Sequence, residues 1–154
     1  MIRYEKQKDL PSLYGYFERV AKEAGLSFEE YHLLPAVITS NPKTPSRILR
    51  IYAQSSDEKL LERLAGNPST PWDILSRLVR HKSKAIRLAV ANNRNAPSNA
   101  IEALICDDSP SVRFMVAENP FMPNEMLVRL VDDENPFVAH RAETTLQRVQ
   151  REAS

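Results

Sequence analysis

An all-α solenoid is the fold class this sequence predicts, and three observations predict it. Asparagine recurs at 41, 67, 93 and 119, a strict spacing of 26 residues. Each opens a similar phrase: Asn41-Pro42-Lys43-Thr44-Pro45, Asn67-Pro68-Ser69-Thr70-Pro71, Asn93-Arg94-Asn95-Ala96-Pro97 and Asn119-Pro120-Phe121-Met122-Pro123. Behind each phrase the apolar residues keep helical spacing, and no segment alternates with period two over a useful length, so no sheet is expected. Fixed self-similarity at this period marks repeats that bury their apolar faces only against their neighbours.

Residues 1–40 lack the full repeat and are expected to form an N-terminal helical cap. Leu10, Leu13, Tyr14, Phe17 and Val20 fall at helical spacing, with Pro11 suited to a helix start and Gly25 to a stop. Ser27-Phe28-Glu29-Glu30 has the form of an N-cap and an acidic first turn, opening a second helix through Tyr31, Leu34 and Ile38.

Residues 41–144 are the repeats, each read as two helices. Thr44-Pro45 and Thr70-Pro71 predict an N-cap followed by proline at the first helical position. The pairs Ile48/Leu49, Ile74/Leu75, Ala100/Ile101 and Met126/Leu127 follow, and four residues on stand Tyr52/Ala53, Leu78/Val79, Leu104/Ile105 and Leu130/Val131. These offsets make one broad face of a helix of about ten residues, roughly 15 Å long. A shorter helix follows, buried through Leu60/Leu64, Ile86/Val90, Val112/Val116 and Val138/Ala142. It is expected to end at the repeat asparagine, in the left-handed conformation that asparagine tolerates. Residues 145–154 complete a C-terminal cap on a helix expected around 137–152, within a single structural domain.

The recurring pattern Asp/Ser-x-x-Val-Arg-x-x-Val-Ala-x-Asn-Pro-x-Thr-Pro-x-x-Ile-Leu-x-x-Leu resembles the leucine-rich repeat variant family and, more distantly, HEAT repeats. The resemblance covers about residues 29–143. It implies a right-handed superhelix of alternating longer and shorter helices, the shorter compatible with 3₁₀ geometry. The period of 26 departs from the family's slightly shorter one. Some members carry a cysteine-rich iron–sulfur module ahead of the repeats; with no cysteine before Cys106, that module is not expected here.

Composition narrows the function. A net charge of +1 gives no global pull towards nucleic acid or membrane, and no stretch approaches 18 apolar residues. The N-terminal residues lack the apolar run of a signal peptide, so cytoplasmic residence is expected. The single Cys106 excludes an internal disulfide; beside Asp107 and Asp108 it is a poor nucleophile, because neighbouring acids disfavour the thiolate. His32, His81 and His140 occupy different repeat positions and form no metal pair, and three scattered glycines build no phosphate loop. Asp107/Asp108 and Asp132/Asp133/Glu134 recur at one turn and read as solvated turn acids. No enzyme, metal or cofactor is expected.

Two repeated polar sets read as scaffold. The asparagines are expected to bond backbone between repeats, and Arg87 and Arg113, at one repeat position, to form an arginine ladder towards neighbouring carbonyls or acids.

Two surfaces remain as candidates. Residues 41–94 carry eleven Lys/Arg against four Asp/Glu, whereas residues 95–154 carry five against ten. The densest cations, Arg77, Arg80, Lys82, Lys84 and Arg87, form a basic stripe able to follow a phosphate backbone. That stripe is short, has no interleaved aromatic, and is followed by acid. The other surface is apolar. One short-helix position reads Glu62, Leu88, Phe114, His140 and the next Arg63, Ala89, Met115, Arg141, so only the inner repeats are apolar there. Leu88, Phe114 and Met115, with Trp72 and Phe121 as weaker members, are candidate partner-binding residues. The leading expectation is a non-catalytic protein-interaction module with a partner that is another protein, an acidic one suiting the basic stripe. Nucleic-acid binding through residues 77–94 is the alternative.

Overall fold

A computed structural model describes residues 28–152, with side chains from Leu33 onward. The expected helix through Leu10 to Val20, its stop at Gly25 and the cap at Ser27 lie outside the described residues. Nine helices and no strand are present among those described. They are α1 (Phe28–Ser40), α2 (Ser46–Tyr52), α3 (Glu58–Gly66), α4 (Trp72–Leu78), α5 (Lys84–Ala91), α6 (Ser98–Leu104), α7 (Pro110–Glu118), α8 (Asn124–Val131) and α9 (Pro136–Glu152). The even helices follow the Asn-Pro turns and are termed A helices; the odd ones are B helices. Each B helix packs against the next, from α1 to α9, and each A helix packs against the B helices beside it.

The apolar pairs read from the sequence are the core. Leu49, Leu75, Leu104 and Leu127 of the A helices and Leu64, Ile86, Val90, Val112, Val116 and Val138 of the B helices are fully buried in one continuous cluster. Leu78, at the centre of the chain, is 3% exposed. Leu78→Ala is therefore expected to lose about 3 kcal/mol. The exposed change Arg47→Ala should stay within about 0.5 kcal/mol. Equal urea midpoints for the two would refute this assignment of the buried face.

Three expectations about the helices are corrected. The A helices span seven or eight residues instead of about ten, and the B helices, at eight or more, are the longer and are α-helical. The reason lies in the prolines. Pro45, Pro71, Pro97 and Pro123 are extended (ψ near 140–156°) and precede the helices, their carbonyls receiving the first helical N–H groups, so each A helix starts one residue later. Thr44 and Thr70 consequently do not cap the helix ahead. Their hydroxyls turn back and donate to the Ile38 and Leu64 carbonyls (2.6 Å each) in the last turn of the preceding B helix, adding a second donor to the Asn41 and Asn67 N–H groups.

The repeat asparagines end the B helices without left-handed backbone; Asn67 (φ −74°, ψ 124°) and Asn119 (φ −75°, ψ 114°) are extended. The side chain does what the backbone conformation was expected to do. Asn67 Oδ1 accepts the Ser69 N–H (2.8 Å), while its Nδ2 donates to the Thr39 and Asn41 carbonyls of the repeat before (2.8 Å each). Asn93 repeats the set with Asn95 N–H (2.9 Å) and the Ala65 and Asn67 carbonyls (2.7 and 2.9 Å). Asn119 keeps the Phe121 N–H and the Ala91 carbonyl (3.1 Å). The expected asparagine stack between repeats is thus present. It starts on α1, whose Thr39 carbonyl is the first acceptor.

Candidate interaction surface

The turn from each A helix to its B helix is built on one side-chain acceptor that takes the N–H two residues on. Ser55 Oγ does this for Asp57, His81 Nδ1 for Ser83, Asp107 Oδ1 for Ser109 and Asp133 Oδ1 for Asn135, all at 2.9–3.1 Å. Two of these acceptors carry charge, and each meets an arginine from the preceding B helix. Arg87 holds Asp107 bidentately (2.6 and 3.0 Å) and donates to the His81 carbonyl (2.9 Å). Arg113 holds Asp133 (2.7 and 3.0 Å), reaches Glu134 (3.0 Å) and donates to the Asp107 carbonyl (2.8 Å). This is the arginine ladder the sequence suggests.

The ladder corrects one reading and redraws another. Asp107 and Asp133 are not solvated turn acids: their side chains are 8% and 6% exposed, while Glu134 is 85% exposed. Burial alone pushes the Asp133 carboxyl up. The Arg113 hydrogen bonds, the Asn135 N–H and the arginine's charge together reverse this, leaving it below the usual carboxylate range. The basic stripe, in turn, loses members. Arg87 is committed to Asp107, and Arg77 Nη2 donates to the Ala53 carbonyl. Arg80, Lys82 and Lys84 remain exposed, with Lys82 in a loose ion pair to Glu58 at 3.5 Å. His81, within the same cluster, is turned to its own backbone.

A shallow depression of about 420 Å³ lies against this edge, lined by Ile105, Cys106, Asp107, Asp108, Arg113, Asp133 and Glu134. Its deepest polar groups are the satisfied ladder, and Cys106 stands exposed at its side. Among the described residues no group of three or more His, Cys, Asp or Glu is placed to hold a metal ion. No helix among them is long and apolar enough to cross a membrane.

The candidate apolar residues divide in two. Leu88, Phe114 and Met115, on α5 and α7, are half-buried and packed against the core. Phe114 also carries the Arg141 guanidinium over its ring at 5.2 Å, and Arg141 meets Glu118 at 3.7 Å. Trp72 and Phe121 are far more exposed, 67% and 68%. Phe121 stands where Ser69 and Asn95 hydrogen-bond to the Pro42 and Pro68 carbonyls, so at that point an apolar ring replaces a tie between repeats. The structure brings Leu88, Phe114 and Met115 together on consecutive B helices; Trp72 and Phe121 belong to the Asn-Pro turn edge, two repeats apart.

One exposed ring has no place in the sequence expectation. Phe137, at the start of α9, is 76% exposed. It takes the repeat position of Lys59, Ala85 and Ser111, three residues before the Leu88/Phe114 position, and so shares the B-helix face. The same 26-residue comparison that singles out Phe114 would have found it.

No protein-family model matches the chain, no curated protein matches it, and no solved structure matches it.

Proposed function

We propose that the chain is a non-catalytic protein-interaction module: a right-handed α-solenoid of 26-residue repeats, of leucine-rich repeat variant type, acting in the cytoplasm. The B helices pack on one another at every step and the A helices much less, which favours a curved stack with the B helices on its inner side. The observation that carries the function is the half-exposed cluster Leu88, Phe114 and Met115 on that inner side. The flanking repeats place Glu62, Arg63, His140 and Arg141 at the same two positions. An apolar centre with a polar rim is the anatomy of a protein interface.

Nucleic-acid binding is the weaker reading, because two of the five stripe cations, Arg77 and Arg87, already serve the chain's own backbone and acids. A phosphate-bound complex would weaken steeply as salt rises, since released counterions drive its formation. Fluorescence anisotropy with random duplex and single-stranded oligonucleotides at low salt separates the two. No micromolar binding is expected. Micromolar binding that Lys82→Glu with Lys84→Glu abolishes, and Phe114→Ala leaves untouched, would reverse the ranking. On the protein side, affinity chromatography should retain a partner through high salt on the wild-type chain and lose it on Phe114→Asp.

A further inference from the structure

Resting on that reading, we propose that the B-helix face is a receptor for a short amphipathic helix whose apolar stripe is flanked by Asp and Glu.

The floor argues for a helix. Leu88 and Ala89 on α5 and Phe114 and Met115 on α7 are half-buried and packed against the core, so the floor is preformed. Neighbouring packed helices lie about 8–10 Å apart. That span matches residues i and i+7 of a partner helix, about 10.5 Å at 1.5 Å per residue. An extended segment would need main-chain pairing to satisfy its backbone, and this face offers only helices whose N–H and C=O groups already bond within themselves. A partner helix brings its backbone satisfied and needs only side-chain pockets. Met115 is suited to adapt to its shape.

The rim argues for acid. Lys59 and Arg63 are exposed on α3, and Lys84 is exposed at the start of α5. None of the three makes an ion pair among the described residues; the acids beside them without one are Glu62 and Asp57, and Asp57 is turned to the N–H groups that open α3, so the cations still outnumber the acids. At the opposite rim Arg141 is neutralised by Glu118 while it covers Phe114. The uncompensated charge is therefore positive and confined to the α3–α5 side, which would both attract acid and set the direction of the bound helix. A second copy fits poorly. The exposed apolar pair on α1, Leu33 and Val37 (62% and 60%), spans one turn and gives way to Ser40 at i+7, and the outer residues of α9, Glu143, Thr144, Gln147 and Arg148, are polar.

The test is selection of a random peptide library, displayed on phage, against the full chain. Counter-selection is against Phe114→Asp, after circular dichroism shows that variant to be helical and cooperatively melting. Enriched peptides should carry apolar residues at i, i+3 or i+4, and i+7, with Asp or Glu beside them. As free peptides they should turn helical on binding. The double variant Lys59→Glu with Arg63→Glu changes exposed residues only. It should weaken these peptides by about tenfold or more, an effect that added salt shrinks. Enriched peptides that need Phe114 but lack acid, or ignore the charge reversal, would overturn this inference and leave the interaction module standing. Peptides that bind Phe114→Asp equally well, or no enrichment over it, would sink both. A concentration-dependent dimer of the wild type, lost in Phe114→Asp by sedimentation, would assign the face to a second copy and also overturn the proposal.

Discussion

Arg113→Ala is expected to destabilise the chain by roughly 3–5 kcal/mol, because it strands a buried carboxylate. Arg113, like Arg87, makes four side-chain hydrogen bonds, and it is the more buried of the two. It is 8% exposed on its side chain, bonded twice to Asp133 and once to Glu134, and its Nη1 satisfies the Asp107 carbonyl. Removing it leaves Asp133 with the Asn135 N–H as its remaining hydrogen-bond donor. Net stabilities of domains are about 5–15 kcal/mol, so this loss should move the urea midpoint by a large fraction of its value. Removing charge from both ends should cost much less: Arg113→Met with Asp133→Asn keeps volume and leaves no buried ion unpaired, since Glu134 is 85% exposed. A double variant as unstable as the single one would show that the arginine acts through packing and not through its charge.

The same pair fixes a pH dependence. The folded-state pKa of Asp133 lies below its ordinary value, so the native state releases this proton more readily than the unfolded chain. The stabilisation is thus full above the unfolded pKa, near 4, and is lost as pH falls through the folded value. Stability of the wild type should therefore fall, as pH drops below about 4, more than that of the double variant lacking the pair. Thermal melts across that range measure it; parallel curves for the two proteins would remove Asp133 from the account.

The core was legible because the chain repeats itself. Any one apolar pair, Ile74/Leu75 for instance, is ambiguous, but four equivalent pairs at one spacing define a buried face. Arg87 and Arg113 were legible for the same reason, as was the asparagine stack. The turn acceptors were not, since Ser55, His81, Asp107 and Asp133 do one job with three different chemistries and show no repeat by residue type. Thr-Pro misleads because it satisfies a helix-start rule equally well whether the hydroxyl points forward or, as here, back to the helix just ended. Depth on the B-helix face could not be read either. Leu88 and Phe114 are held half in against the core, whereas Trp72 and Phe121, at turn edges, have no neighbour to cover them among the described residues.

The asparagine stack yields the other large effect, and the isosteric change Asn93→Asp isolates it. Aspartate keeps the oxygen that accepts the Asn95 N–H, so the turn itself can form. What it loses is Nδ2, which donates to the Ala65 and Asn67 carbonyls from a side chain buried to 2% exposure. Ala65 lies in the last turn of α3, where no further intrahelical donor is available; the Asn67 carbonyl still receives the Thr70 N–H. The variant would set a carboxylate oxygen against two carbonyl oxygens in a dry joint between repeats. An unpaired buried charge costs about 3–5 kcal/mol, and the orphaned Ala65 carbonyl about 1–3 more. We expect at least about 4 kcal/mol lost at neutral pH, partly recovered on acidification as the new carboxyl takes a proton and can donate. Asn41→Asp is the internal control, because Asn41 is exposed and its Oδ1 bond to the Lys43 N–H survives the change. It should cost less than about 1 kcal/mol. Matching melting temperatures for the two variants would mean that the repeats are joined by apolar packing alone, and that the asparagine row marks the turns without tying them together.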